Sequence, residues 1–264
     1  MFGFRKIEKR YYKYTFLKRV NIRIVYDSVD FPDDMLNITQ SYFSKDFVRV
    51  SYGNDINLNL GVDDTDTPTA SVISNDTLLL RNEDNNIIAF ISKNSIHINI
   101  EVDENYNSFE KNISKITKKV INFLHSSLSV KKIKSVILQK LNIIDFVYKR
   151  NENTVNGALT AFLNNNLVSW SHIFPDESKI TQNRSSIVFE ENEYNLELRY
   201  GVVSSPNKEE EKGQIFIEIQ SQLYKDIDIT QVLPELSLIN DEIFNIFDWV
   251  LNDELKTRLE NGNI

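Results

Sequence analysis

Apolar and polar residues alternate along several separate stretches of this chain, and a period of two commits each stretch to a strand with one buried face. Val20, Ile22, Ile24 and Tyr26 alternate with Asn21, Arg23 and Val25. Strand-like runs follow over 47–52, 56–62, 77–81, 87–92 and 95–102. The segment 82–86 reads as a hairpin loop, and Lys93-Asn94 as a two-residue turn with Asn94 in left-handed backbone. Between the first two strands, Asp30 as a cap and Pro32 in a first turn predict a short helix running toward Phe43. A helix over 108–127 is predicted from Asn107 and Glu110 at capping-box spacing and from the stripe Phe109, Ile113, Ile116, Val120, Phe123 and Leu124. From Ile133 the order recurs: an apolar run over 135–147, a helix over 154–163, and strands over 186–190, 194–203 and 214–223. A closing helix is capped by Thr230, striped by Leu236, Ile239, Ile243, Phe247, Val250 and Leu251, and ended by Asn261-Gly262. The expected fold is α+β. After a basic leader (1–19) come two similar strand–helix–antiparallel meander–helix halves, 20–130 and 131–264. They are expected to form a duplicated, pseudo-two-fold sheet with helices on one face.

Composition narrows the chemistry. Of the 264 residues, 41% are hydrophobic, with 16 Phe and 11 Tyr, enough to bury a core. No apolar run approaches membrane-spanning length and the opening residues lack a secretory signal's apolar stretch, so a soluble, cytoplasmic chain without membrane contact is expected. The absence of cysteine removes disulfides, thiolate nucleophiles and Cys-based zinc or iron–sulfur ligation. With 7 Gly there is no G-x-x-x-x-G-K or G-x-G-x-x-G phosphate loop. No cofactor is expected.

The net charge of −8 is unevenly distributed. In the leader, Arg5, Lys6, Lys9, Arg10, Lys13, Lys18 and Arg19 are opposed by Glu8 alone, with Tyr11, Tyr12, Tyr14 and Phe16 interleaved. Over 115–150, Lys115, Lys118, Lys119, Lys131, Lys132, Lys134, Lys140, Lys149 and Arg150 are opposed by Asp145 alone. One reading makes Arg5, Lys6, Lys9, Arg10, Lys131, Lys132 and Lys134 phosphate contacts. The other makes them solvated residues that neutralise the chain's own acidic surface, in keeping with its net negative charge.

The strand pattern also specifies what points away from the core. Asn21, Arg23, His97, Asn99, Glu101, Asn195, Glu197, Arg199, Glu218 and Gln220 occupy non-core positions. Together they would make a broad polar surface, with Arg23, His97, Asn99, Arg199 and Gln220 as its candidate partner contacts. Ordinary solvent-facing residues are the alternative. The most chemical-looking segment is 61–68, where Asp64, Asp66 and Thr67 match D-x-D-x-T. That pattern resembles the aspartyl nucleophile and general acid of haloacid-dehalogenase-like phosphatases, and the string from Gly61 to Asp66 resembles a motif of archaeal tRNA-cytidine agmatinyl synthetases. The preceding strand alternates with Asn57 and Asn59 rather than being wholly apolar, and no downstream acidic pair completes the phosphatase set. A loop in which Asp and Thr satisfy their own backbone competes with cation binding by Asp63, Asp64 and Asp66. His97, His125 and His172 are too dispersed for a metal site by spacing.

Three stretches carry a family resemblance: 17–24, 138–144 and especially 217–255, with its closing strand, acidic–apolar link and terminal helix. On these the chain resembles a sporadically distributed family of bacterial proteins of similar length. Where that family is expected to place a Leu-His pair, this chain has Ile239-Asn240, so a role for that His does not carry over. The resemblance implies no reaction, and its patchy distribution is that of mobile-element or defence-associated genes. Taken together, these features predict a non-catalytic binding or regulatory protein acting on a macromolecular partner. A protein partner is expected, with nucleic acid as a second class. The alternative is a metal-dependent phosphotransfer or nucleic-acid-processing enzyme using the 63–66 loop.

Overall fold

The period-two stretches fold into strands and the striped segments into helices in the structure, a computed structural model that describes residues 2–4, 6–7, 15–53, 56–58, 70–72, 77–102, 109–148, 155–168, 182–204 and 211–261. In chain order the elements are β1 (Leu17–Tyr26), α1 (Met35–Phe43), β2 (Arg49–Gly53), β3 (Ile56–Leu58), β4 (Ala70–Val72), β5 (Thr77–Arg81), β6 (Ile87–Ile91) and β7 (Ser95–Glu101). A π-helical turn (Phe109–Ser114) leads into α2 (Lys115–Ser127). Then come β8 (Lys132–Tyr148), α3 (Val155–Phe162), α4 (Asn165–Val168), β9 (Gln182–Glu191), β10 (Tyr194–Ser204) and β11 (Glu211–Leu223). The chain closes with β12 (Ile227–Asp228), a 3₁₀ turn (Ile229–Gln231), α5 (Val232–Val250) and α6 (Asp253–Asn261). The class is α+β, built on a large antiparallel sheet of about ten strands, with β3 and β4 as a separate hairpin pair. Among the described residues no helix is long and apolar enough to cross a membrane.

The chain divides into two compact units. The first comprises Asn21–Ile137 and Tyr224–Glu235. Its strands run in the order β2-β5-β6-β7-β1, and Leu78, Leu80, Ala89, Ile91, Ile96, Ile98, Ile22 and Ile24 are fully or almost fully buried on one face. The stripe of α2 supplies Ile116, Val120, Phe123 and Leu124 to this core, and the Phe43 and Phe123 rings meet at 5.0 Å. The buried Tyr26 phenol donates to the Ser92 carbonyl at 2.6 Å, and burial raises its pKa well above the usual range.

The second unit comprises Met1–Val20, Leu138–Leu223 and Leu236–Ile264. Its meander is β9-β10-β11, in which β10 pairs without interruption on both sides, from Tyr194 opposite Glu191 and Leu223 onward. Leu196, Leu198, Tyr200, Val202, Ile215, Ile217 and Ile219 face its core together with Ile239, Ile243, Ile246 and Val250 of α5. Part of the leader is docked here. Phe4 lies edge-on to Phe189 and Trp249, each at 5.4 Å, while the Phe2 and Ile7 amides donate to the Glu242 carboxylate and the Asn245 side-chain carbonyl. This explains why Glu242 and Asn245, off the apolar stripe, are nevertheless buried.

Local details depart from expectation for physical reasons. The predicted Thr230 cap is instead Asp228. Its Oδ1 accepts from the Thr230 N–H and hydroxyl at 2.9 and 2.6 Å, while Gln231 returns an oxygen to the Asp228 amide in a capping box. Those bonds lower the Asp228 pKa. The single closing helix is two, because Asn252 interrupts it: its side chain accepts from the Leu255 amide and donates to the Ala161 carbonyl, both at 2.8 Å, capping α6 while tying it to α3. At the 93–94 turn the left-handed backbone expected of Asn94 is absent. Asn85, Ser129 and Asn192 adopt it instead, and the Ser92 amide closes the turn on the Ser95 carbonyl.

Candidate functional site

The non-core face of the second unit carries a cross-strand network that begins from alternation. Leu196 and Leu198 turn inward on β10, so Glu197 and Arg199 turn outward. Ile217 and Ile219 do the same for Glu218 and Gln220 on β11. Register places Arg199 opposite Glu218 and Glu197 opposite Gln220. The Arg199 guanidinium bonds Glu197 through Nε at 2.7 Å and reaches Glu218 through Nη1 at 3.7 Å. Gln139 of β8 donates to the other Glu218 oxygen at 2.7 Å, and the Ser186 hydroxyl of β9 donates to Glu197 at 2.9 Å. The two carboxylates are only 20% and 18% exposed. Burial pushes the Glu218 carboxyl above the usual glutamate range, and the neighbouring Glu197 adds to the rise. Arg199 and Arg19 pull the other way without reversing it. Glu197 and Glu218 thus both contact Arg199 while largely withdrawn from water, a setting in which a cation or amide donor from outside would recover lost solvation.

In the first unit, Arg23 is exposed on β1, while His97 and Asn99 are half-buried on the neighbouring β7. Register sets Phe90 opposite His97 and Ile88 opposite Asn99, and Leu79 opposite Phe90 on the next strand. This face is therefore mixed rather than broadly polar, with half-buried Leu79, Ile88 and Phe90 among its polar groups. Burial, reinforced by the Arg23 charge, lowers the His97 pKa from 6.5 to about 4, so the ring is neutral at physiological pH and offers one donor and one acceptor.

The candidate phosphate contacts behave differently. Lys134 pairs with Asp27 at 3.4 Å and Asp226 at 3.5 Å, contacts that raise its pKa. Lys132 stands opposite Asp228 in the β8–β12 register, and Lys131 and Lys6 are exposed. On α2, Lys119 is paired with Asp46. Lys119 and Lys134 thus pair with the chain's own carboxylates, the arrangement that internal neutralisation expects of these two residues. Arg5, Lys9, Arg10, Asp63, Asp64, Asp66 and His172 lie outside the described residues. Among the described residues no cluster of His, Cys, Asp or Glu could hold a metal ion.

The predicted contacts group within each unit, Arg23 with His97 and Asn99 in one and Arg199 with Gln220 in the other. Sequence reasoning missed Gln139, Ser186 and the apolar trio. For Leu79, Ile88 and Phe90 the signal was available: β5 and β6 read as nearly continuous apolar runs, the mark of strands covered on both faces. Gln139 and Ser186 required knowledge of which strands neighbour β11 and β10. Comparison with protein-family models and with curated proteins returns no match.

Proposed function

We propose that this protein is a non-catalytic binding module that engages a protein partner through the non-core sheet face, with the Glu197–Arg199–Glu218–Gln139 network as its principal contact. The observation that carries this reading is the pair of half-buried carboxylates sharing Arg199, with the Glu218 pKa raised. A basic or amide-bearing protein surface gains from meeting such a site, whereas a phosphate backbone is repelled by it. Lys134, paired with Asp27 and Asp226, weighs in the same direction. In this reading the two meanders, β5-β6-β7 before α2 and β9-β10-β11 before α5, are related by duplication, with the polar outward row belonging to the second and a mixed one to the first.

The test is affinity capture of the full chain from its native host, with and without nuclease, in parallel with Glu218→Gln and Arg199→Ala chains. A stoichiometric, nuclease-resistant protein is expected with the parent sequence. Each variant should weaken its binding by about tenfold or more, with Glu218→Gln leaving the thermal midpoint within a few degrees. A partner held equally by both variants, or recovery abolished by nuclease, would overturn the assignment.

A further inference from the structure

β9 terminates the strand order, so among the described strands nothing pairs its outer edge, and its backbone N–H and C=O groups form a template for another strand. Soluble proteins usually guard such an edge with charges, proline or a bulge. β9 is ten residues long and its ladder to β10 runs without a bulge from Glu191 to Gln182. Its charges sit only toward the ends, Arg184 at one and Glu190 and Glu191 at the other. Between them lie Ser185, Ser186, Ile187, Val188 and Phe189, and Val188 is 54% exposed.

We propose that this edge pairs with β9 of a second copy of the chain, antiparallel about a two-fold axis at Ile187, continuing the sheet from one subunit into the next. Geometry restricts the register. Residues that face each other across an antiparallel pair share a sheet face and a hydrogen-bonding direction, so a strand paired with its own copy must be centred on a residue. Centring on Ser186 sets Arg184 opposite Val188, and centring on Val188 sets it opposite Asn192. Centring on Ile187 sets Arg184 opposite Glu190, an opposite-charge pair that the symmetry makes twice. Both residues are exposed and share the outward face. The same register puts the exposed Val188 across from Ser186 and closes Ile187 on its own copy, so the uncharged centre of the edge is covered and its charged ends are matched.

Sedimentation velocity on the full chain across the micromolar range tests this, using the parent protein, Arg184→Glu, Glu190→Arg and the double exchange. The parent is expected to be a dimer. Either single reversal places like charges opposite each other twice and should raise the dissociation constant about tenfold or more, while the double exchange restores it. A parent chain that is monomeric throughout, a dimer indifferent to both reversals, or a double exchange that fails to restore association would each overturn the proposal. Loss of the macromolecular partner leaves this result unaffected, because the residues varied here, Arg184 and Glu190, are not among the contacts described for the face network.

Discussion

His97 shows how much one side chain's surroundings can alter its chemistry. An outward strand position predicts an ordinary solvated imidazole, yet half-burial in a row containing Phe90, with Arg23 adding its charge, holds the ring neutral. The unfolded chain takes up a proton near 6.5 and the folded chain only near 4, so the unfolded state binds more protons between those values. The contribution is intact above pH 6.5 and is lost as pH falls toward about 4, by up to about 3 kcal/mol. A His97→Gln chain should therefore lose less stability than the parent between pH 7 and pH 4 in urea titrations. Parallel curves would contradict the burial argument. The residue's place on a strand was legible from the alternation of 96–100. Its pKa was not, because its burial depends on neighbouring strands, among them the one that sets Phe90 opposite it, and alternation alone does not reveal that register.

At the level of elements, periodicity identified strands and helices wherever one face was clearly apolar, and went astray where a single polar side chain decided the outcome. The stripe from Leu236 to Leu251 continues without a visible stop, yet Asn252 ends the helix by exchanging hydrogen bonds with α3 and α6, which no spacing rule encodes. Gly201 is a second such case. It lies in β10 between Arg184 of β9 and Phe216 of β11, and its backbone is not left-handed. A Cβ there would approach the Asn183 carbonyl oxygen to 2.0 Å and the Phe216 ring to 2.9 Å. The glycine is required by close approach rather than by torsion. Gly201→Ala should destabilise the fold by about 3 kcal/mol in chemical denaturation, and a loss below about 1 kcal/mol would show that the strands part easily. In sequence this residue reads only as a weak point in a strand.

For the molecule as a whole, the α+β class followed from recurring period-two stretches interspersed with striped helices, and the large antiparallel sheet agrees with it. The units themselves were less legible. Residues 224–235 join the first unit although they follow the second unit's meander, and β1 and β8 each contribute to both. Such exchanges depend on long-range strand pairing, which local pattern does not carry. The same limit hid Gln139 and Ser186 while leaving Arg199 and Gln220 readable. The central claim is that the outward face of β10 and β11 contacts a protein, and hydroxyl-radical footprinting of the purified complex addresses it directly. Phe216, on the same face and half-buried, is the reporter, with the exposed Tyr224 beyond β11 as internal reference. Phe216 labelling should fall severalfold on complex formation while Tyr224 is unchanged, as expected of a contact burying about 1,000 Å² or more. Equal labelling of Phe216 in free and bound protein would place the partner elsewhere and contradict the account.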